Sequence, residues 1–340
     1  MTEPFPDARV LLERYGLRAK KSFSQNFLIS DRAFRAIVDA TVKTDEDWIV
    51  EIGAGLGTLT SRLAARVPEG KVIALERDRD MIAVLRAELA GADNVEIEEV
   101  DALKYDLRMA AKWRGDSISV CGNLPYQIAA PLMFRVIEAR EAVRVAVVMI
   151  QKEMADRIVA PPGGKDYGAL GVMLRTYADV SVVAKVSAGS FVPAPKVDST
   201  VIRLTPLAQP RAPIGDEKHY SAVVHAAFGQ RRRPCAMRCV RCLDEAAVDA
   251  ALAAASIDGI RRGETLDIAE LAAVAVAIPP GREPPSVPRG KHCAMPELPG
   301  GRDRSSDPDA RDRLAHRLRC GTAARACTCS ASRHASDCAS

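Results

Sequence analysis

Between residues 46 and 151, short apolar runs alternate with stretches patterned for helices, and that order leaves few folds open. Trp48–Ile52, Lys71–Glu76, Val95–Glu99, Ser117–Cys121 and Arg144–Gln151 are predicted strands; Thr58–Val67, Arg79–Leu89 and Pro131–Ala139 are predicted helices. Strands that take turns with helices are joined by crossovers, which set them parallel in one sheet with helices on its faces. The expected architecture is therefore α/β, a Rossmann-like, doubly wound parallel sheet. A basic, loop-rich lead-in fills residues 1–45, with a helix starting near Asp31. After the alternation, Lys185–Pro193 and Thr200–Thr205 are predicted as a closing pair of strands, and Pro206–Asp216 as a Pro-rich linker. His219–Phe228, Asp244–Ala255 and Ile268–Val276 then read as helices of a smaller C-terminal domain. The expected boundaries are 1–45, 46–205 and 206–278, followed by a tail, 279–340. That tail holds 8 of the 21 prolines and 5 of the 9 cysteines with little apolar periodicity, so it is expected to be disordered.

Glu51-Ile52-Gly53-Ala54-Gly55-Leu56-Gly57 falls where the first of these strands turns into the first helix. Glycines let backbone approach a ligand closely, and a helix N-terminus presents free N–H groups. The G-x-G-x-G spacing differs from the dinucleotide pattern G-x-G-x-x-G and favours a loop packed against an adenosyl amino acid over a pyrophosphate cradle. Glu76 ends the second strand, where a carboxylate can accept both ribose hydroxyls, and Asp101 follows the third, where it can take an adenine amine. Either acid alone is an ordinary strand end. Together, after this loop, they make S-adenosylmethionine the expected ligand.

Asn123-Leu124-Pro125-Tyr126 then follows the next strand. The Asn side-chain oxygen and the Leu124 carbonyl can each accept one N–H of a flat exocyclic amine, which leaves its nitrogen lone pair aimed at an electrophile. Pro125 stiffens the turn, and Tyr126 offers a ring on which a base can stack.

The net charge of +4 misleads about partners. Of 48 Lys+Arg and 44 Asp+Glu, 11 and 7 lie from Pro279 onward, which leaves 37 of each in residues 1–278. Any nucleic-acid contact must come from a local patch, and the candidates are Arg18, Lys20 and Lys21, and Arg231, Arg232 and Arg233. No apolar run reaches membrane-spanning length and no signal pattern opens the chain, so a cytoplasmic protein without a membrane partner is expected. Nothing demands more than a monomer, and no metal site is expected.

With these residues placed, roughly 15–278 resembles the KsgA/RsmA family of small-subunit (16S) rRNA adenine N6,N6-dimethyltransferases. Ser22-Phe23-Ser24-Gln25-Asn26-Phe27-Leu28 looks like the family's G-Q-N-F-L motif, with Ser24 where Gly is usual. Asp166-Tyr167-Gly168-Ala169-Leu170 matches its Y-G-x-L segment, and Phe191-Val192-Pro193-Ala194-Pro195-Lys196-Val197-Asp198-Ser199 matches its F-x-P-x-P-K-V-D-S element. Gln127 departs from the Asn common there. The resemblance implies a class I S-adenosylmethionine-dependent methyltransferase domain with a small C-terminal helical, RNA-binding domain. It implies that Asn26, Leu28, Gly53, Gly55, Glu76, Asp101 and Asn123 line the cofactor site. Asn123 and Leu124 would orient the target amine, while Tyr126 and Phe191 sandwich the base. The implied activity is transfer of methyl groups to adenine N6 of small-subunit rRNA during ribosome maturation. Its rivals are a large-subunit rRNA methyltransferase of the antibiotic-resistance type, and a non-catalytic assembly or transcription factor on the same fold.

One stretch departs from the family. After Arg233 the chain reads Pro234-Cys235-Ala236-Met237-Arg238-Cys239-Val240-Arg241-Cys242, where the family continues in a Leu/Asn/Arg-rich helix. Restoring one C after the proline codon of a GC-rich gene yields Pro-Leu-Arg-Asn-Ala-Leu-Arg-Ala-Leu. Two compensating one-base changes are the hypothesis, with Cys235, Cys239 and Cys242 standing where leucines stood, on one helical face. The spacing C-x₃-C-x₂-C without a fourth ligand makes a poor metal site. Resequencing that finds an unbroken frame encoding these cysteines would remove the hypothesis.

Overall fold

Alternate residues of one apolar run near the middle of the chain enter two different cores. Val145, Val147 and Met149 pack on one side, and Ala146, Val148 and Ile150 on the other. A strand dressed this way belongs inside a sheet covered on both faces. The computed structural model describes residues 5–20, 25–125, 127–229 and 245–278. Lys21, Tyr126, Arg231, Arg232, Arg233, Cys235, Cys239, Cys242 and everything from Pro279 lie outside the described residues. Of two compact units, the described residues all belong to the first, Met1–Gly290.

In chain order the elements are α1 (Ala8–Arg14), β1 (Phe27–Leu28), α2 (Asp31–Thr41), β2 (Trp48–Ile52), α3 (Thr58–Arg66), β3 (Lys71–Glu76), α4 (Arg79–Glu88) and β4 (Val95–Glu99). They continue as α5 (Leu107–Arg114), β5 (Ile118–Asn123), α6 (Ala129–Glu138), β6 (Val143–Gln151), α7 (Lys152–Val159), α8 (Ala169–Tyr177), β7 (Ala178–Val186), β8 (Phe191–Val192) and β9 (Ser199–Pro206). Three helices close the described chain: α9 (Glu217–Phe228), α10 (Glu245–Ala254) and α11 (Ile268–Ala277). Short polar side chains begin many of the helices. Ser30 caps α2, Asp78 caps α4, and Asp267 with Glu270 forms a capping box on α11.

The main sheet has seven strands in the order β4-β3-β2-β5-β6-β9-β7. β4, β3, β2, β5 and β6 are parallel, as the alternation predicts. β9 then runs antiparallel to both β6 and β7, so the sheet is mixed at that end. The chain builds outward from β2 through β3 to β4, then returns to start again at β5. The strand order therefore switches between β2 and β5, and ligands of such sheets bind at the strands' C-terminal ends beside that switch.

One sequence expectation needs correction. Lys185–Pro193 is not one strand of a closing pair. The edge strand beside β9 is β7, which begins at Ala178 and ends at Val186, and Phe191-Val192 turns away to pair antiparallel with Phe27-Leu28 in a separate two-stranded sheet. The physical cause is the intervening Ser187–Ser190 turn, where the Ala188 N–H donates to Asp198 Oδ1 at 2.9 Å and leaves the ladder. Helices α1, α5, α7 and α8 also lie in segments to which the sequence reading assigned no element.

α2 and α3 cover one face through Phe34, Ile37, Leu59 and Leu63. The other face carries α6 and α8, and its core continues without a break into Tyr220, Val223, Leu252 and Leu271 of the last three helices. The buried Tyr167 hydroxyl donates to the Leu266 carbonyl at 3.0 Å, so the Tyr-Gly segment joins those helices to the rest.

Candidate active site

The C-terminal ends of β2, β3 and β5 open onto a cleft of about 1170 Å³, counted out to solvent. Its walls come from four places: the Gly loop after β2, Glu76 at the end of β3, Asp101 after β4, and Asn123-Leu124-Pro125 after β5. A fifth wall is the segment Gln25–Leu28, carried in from the N-terminus. The structure thus brings Asn26, Leu28, Gly53, Gly55, Glu76, Asp101, Asn123 and Leu124 to one cleft.

The loop needs its glycines. Gly53, Gly55 and Gly57 all have φ between 57° and 80°, and a Cβ on Gly55 would also sit 3.4 Å from the Phe27 ring. The turn delivers the Gly55 N–H to Glu76 Oε2 at 2.8 Å. Glu76 Oε1 accepts from the N–H groups of Arg77 and Asp78 at 2.7 and 2.9 Å. Three bonds leave acceptor capacity on an ionised carboxylate, which has about four lone-pair sites. Asp101 caps a short 3₁₀ turn through Oδ1, and its Oδ2 lies 3.3 Å from Arg77.

At Asn123 the side-chain NH₂ donates to the Asn26 carbonyl at 3.1 Å. With that end committed, Oδ1 is the end left to accept. The Leu124 N–H is held by the Met149 carbonyl at 3.0 Å, and its side chain is sunk in the core. Gly122, just before, lies so close to β2 that a Cβ there would stand 2.4 Å from the Ile52 carbonyl oxygen. Phe191 pairs with Leu28 in the small sheet and is only 4% exposed. It packs in the core behind the cleft rather than on the wall that the other candidates form. Tyr126 lies outside the described residues.

Two groups that the sequence reading gave no role belong here. Glu51 is buried in β2, facing Cys121 of β5 and Ala74 of β3, with Oε2 meeting no hydrogen-bond partner. Burial, aided by the nearby Glu76 charge, pushes its carboxyl up to about 8 although the Thr60 hydroxyl offsets part of the rise. The signal was a carboxylate inside the apolar run Trp48–Ile52. The second group is Asp78, 3% exposed, which accepts from Lys20 Nζ at 2.7 Å and from Gln25 Nε2 at 2.8 Å. Burial alone would raise its carboxyl, but these donors and the Asp80 N–H hold it below the usual range. Lys20 also pairs with Asp80 at 2.7 Å. Its ammonium is shared between the two acids while its side chain keeps 36% of its surface exposed, and Arg18 is exposed.

Glu51 lines the cleft with one oxygen unpartnered and its carboxyl raised by burial, so a cation bound beside it would favour its ionised form; S-adenosylmethionine carries a sulfonium and an ammonium. The two acids at the ends of β3 and β4 suit its ribose and adenine, and the glycine loop admits its amino-acid end. The residues present fit that cofactor. Among the described residues no group of three or more His, Cys, Asp or Glu could hold a metal ion, and no helix is long and apolar enough to cross a membrane.

Sheet order, switch-point cleft and acids define a class I, Rossmann-like methyltransferase. The solved dimethyladenosine transferase of Plasmodium falciparum shares the fold, with a TM-score of 0.59 and 23% identity over 73% of this chain and 95% of that one. The 23S rRNA methyltransferase ErmE has a TM-score of 0.56 and 25% identity over 74% of this chain and 99% of that one. The model of the ribosomal RNA adenine dimethylase family matches residues 16–274. Ribosomal RNA small subunit methyltransferase A of Anaeromyxobacter sp. (strain K) is 42% identical over 285 residues, 81% of this chain and 98% of that protein. Its counterpart in Geobacillus thermodenitrificans is 40% identical over 278 residues, 79% of this chain and 94% of that protein. The chain belongs to the ribosomal RNA adenine dimethylase family, whose members use S-adenosylmethionine.

Proposed function

We propose that this protein transfers methyl groups from S-adenosylmethionine to N6 of adenines in small-subunit rRNA, giving dimethyladenosine during ribosome maturation. The observation that carries this is the Asn123 amide, tethered to Asn26 so that its oxygen is left to accept in the same cleft as Glu76 and Asp101.

When bound, the cofactor supplies an electrophilic methyl group on a sulfonium. Glu76 and Asp101 would hold its ribose and adenine; Asn26, Leu28, Gly53 and Gly55 would enclose the rest. Asn123 Oδ1 and the Leu124 carbonyl would each take one N–H of the target amine and turn its lone pair toward the methyl group. A neutral amine attacking a cationic donor needs no strong base, so positioning supplies most of the catalysis. After one transfer N6 keeps one hydrogen, and a second transfer can follow; the proton leaves through water. Tyr126 and Phe191 would flank an adenine turned out of its stack, the Phe191 ring moving out from beside Leu28. Residues 206–278, together with Arg18, Lys20, Lys21, Arg231, Arg232 and Arg233, are proposed to contact the RNA of the small-subunit precursor.

Labelled S-adenosylmethionine offered with unmethylated small subunits, large subunits and DNA tests this. Label is expected as dimethyladenosine in small-subunit RNA alone. Label in large-subunit RNA would establish the rival substrate, and cofactor binding without any transfer would establish a non-catalytic role.

A further inference from the structure

Asp78 sits at a junction between the two halves of the active site. On one side its backbone N–H donates to Glu76 Oε1 at 2.9 Å, and Glu76 in turn holds the glycine loop through Gly55. On the other side its carboxylate grips the N-terminal segment. Oδ1 receives Lys20 Nζ at 2.7 Å and Oδ2 receives Gln25 Nε2 at 2.8 Å. Gln25 closes the clasp on itself, its Oε1 accepting the Lys20 N–H at 2.9 Å.

The residue after Gln25 is Asn26, whose carbonyl accepts the Asn123 amide. Phe27 and Leu28 then enter the two-stranded sheet with Val192 and Phe191. The Asn26 carbonyl is therefore fixed from both ends, by the clasp on one side and by this sheet on the other. Bonds donated to a charged acceptor are among the shorter and stronger kind, and these lie where Asp78 is almost wholly shielded from water.

We propose that Lys20, Gln25 and Asp78 form a positioning clasp that sets the Asn26 carbonyl, and through it the orientation of the Asn123 amide toward the acceptor amine. This rests on the proposed methylation of adenine N6. Lys20 and Asp78 lie off the cleft wall, and Gln25, which lines it, is committed through both ends of its amide to this clasp. Their effect should fall mainly on the second transfer: a monomethylated amine has a single N–H left to hold, so a loosely oriented Asn123 fails there first.

The test compares wild type with Gln25→Ala, Gln25→Glu and Lys20→Met on unmethylated small subunits. Gln25→Glu keeps the side chain's length but sets a carboxylate against Asp78. Four quantities are read: kcat, the ratio of monomethyl- to dimethyladenosine, S-adenosylhomocysteine affinity by calorimetry, and Tm. Expected are a fall in kcat of about ten- to a hundredfold, accumulation of monomethyladenosine, and inhibitor affinity within about threefold of wild type. Lys20→Arg, which can still donate to Asp78 and Asp80, should restore the wild-type product ratio. A wild-type kcat and product ratio in both Gln25 variants would overturn the clasp. So would a loss of inhibitor affinity in step with kcat, since the segment would then merely shape the cofactor pocket. Failure of wild type itself to make dimethyladenosine would instead overturn the proposed function.

Discussion

Replacing Glu51 by Gln should make the cofactor-free protein more stable at neutral pH and less able to hold its cofactor. Glu51 is buried with an unpartnered oxygen, and its carboxyl is raised from 4.5 to about 8. A raised folded-state value means that the folded protein holds the proton more tightly than the unfolded chain does. The corresponding stability is fully present below pH 4.5, is eroded as pH rises, and is lost on passing through about 8. Each pH unit across that window is worth about 1.4 kcal/mol. Gln carries no proton to lose, so the variant's advantage should be about 1 kcal/mol at pH 5 and about 3 kcal/mol at pH 7, levelling off above pH 8. Urea unfolding of both proteins without cofactor at pH 5, 7 and 8 measures it. Calorimetry at pH 7 should show weaker S-adenosylmethionine binding by the variant, because a bound cation can draw Glu51 into its ionised form with release of its proton, and Gln cannot ionise. An advantage that does not change with pH, or a wild type more stable than the variant at pH 8, would refute the reasoning. A group that costs stability in the empty protein and returns it on binding is the pattern expected of a functional site.

Other outcomes follow from the same geometry. Asn123→Ala should keep most cofactor affinity by calorimetry and lose nearly all methyl transfer; normal turnover would dismiss its role in orienting the amine. Gly122→Ala puts a methyl 2.4 Å from the Ile52 carbonyl oxygen, and the strands must part to admit it. A loss of about 3 kcal/mol in urea unfolding is expected. Tyr167→Phe removes the hydroxyl that donates to the Leu266 carbonyl while leaving the ring, which meets Phe228 edge-on. It should cost about 1 kcal/mol of stability.

The sequence alone determines the local features. Strands β2, β3 and β4 fall on the predicted residues, and β5 and β6 within two residues, because short apolar runs bounded by turn residues are a property of the strand itself. Three closely spaced glycines at a strand end announce the loop, and acids at successive strand ends announce the cleft, because a parallel sheet puts all those ends on one edge. Only the tertiary structure decides the rest. Phe27-Leu28 meets Phe191-Val192 across nearly half of the chain, and no local pattern records a pairing that distant. Lys20 looks like a surface charge until Asp78 and Asp80 are folded against it. Glu51 looks like one more carboxylate until neighbouring strands exclude its water. Ion pairing and desolvation depend on what surrounds a group in space, so a residue's chemistry can be written in its own position only where its neighbours are also its neighbours in the chain.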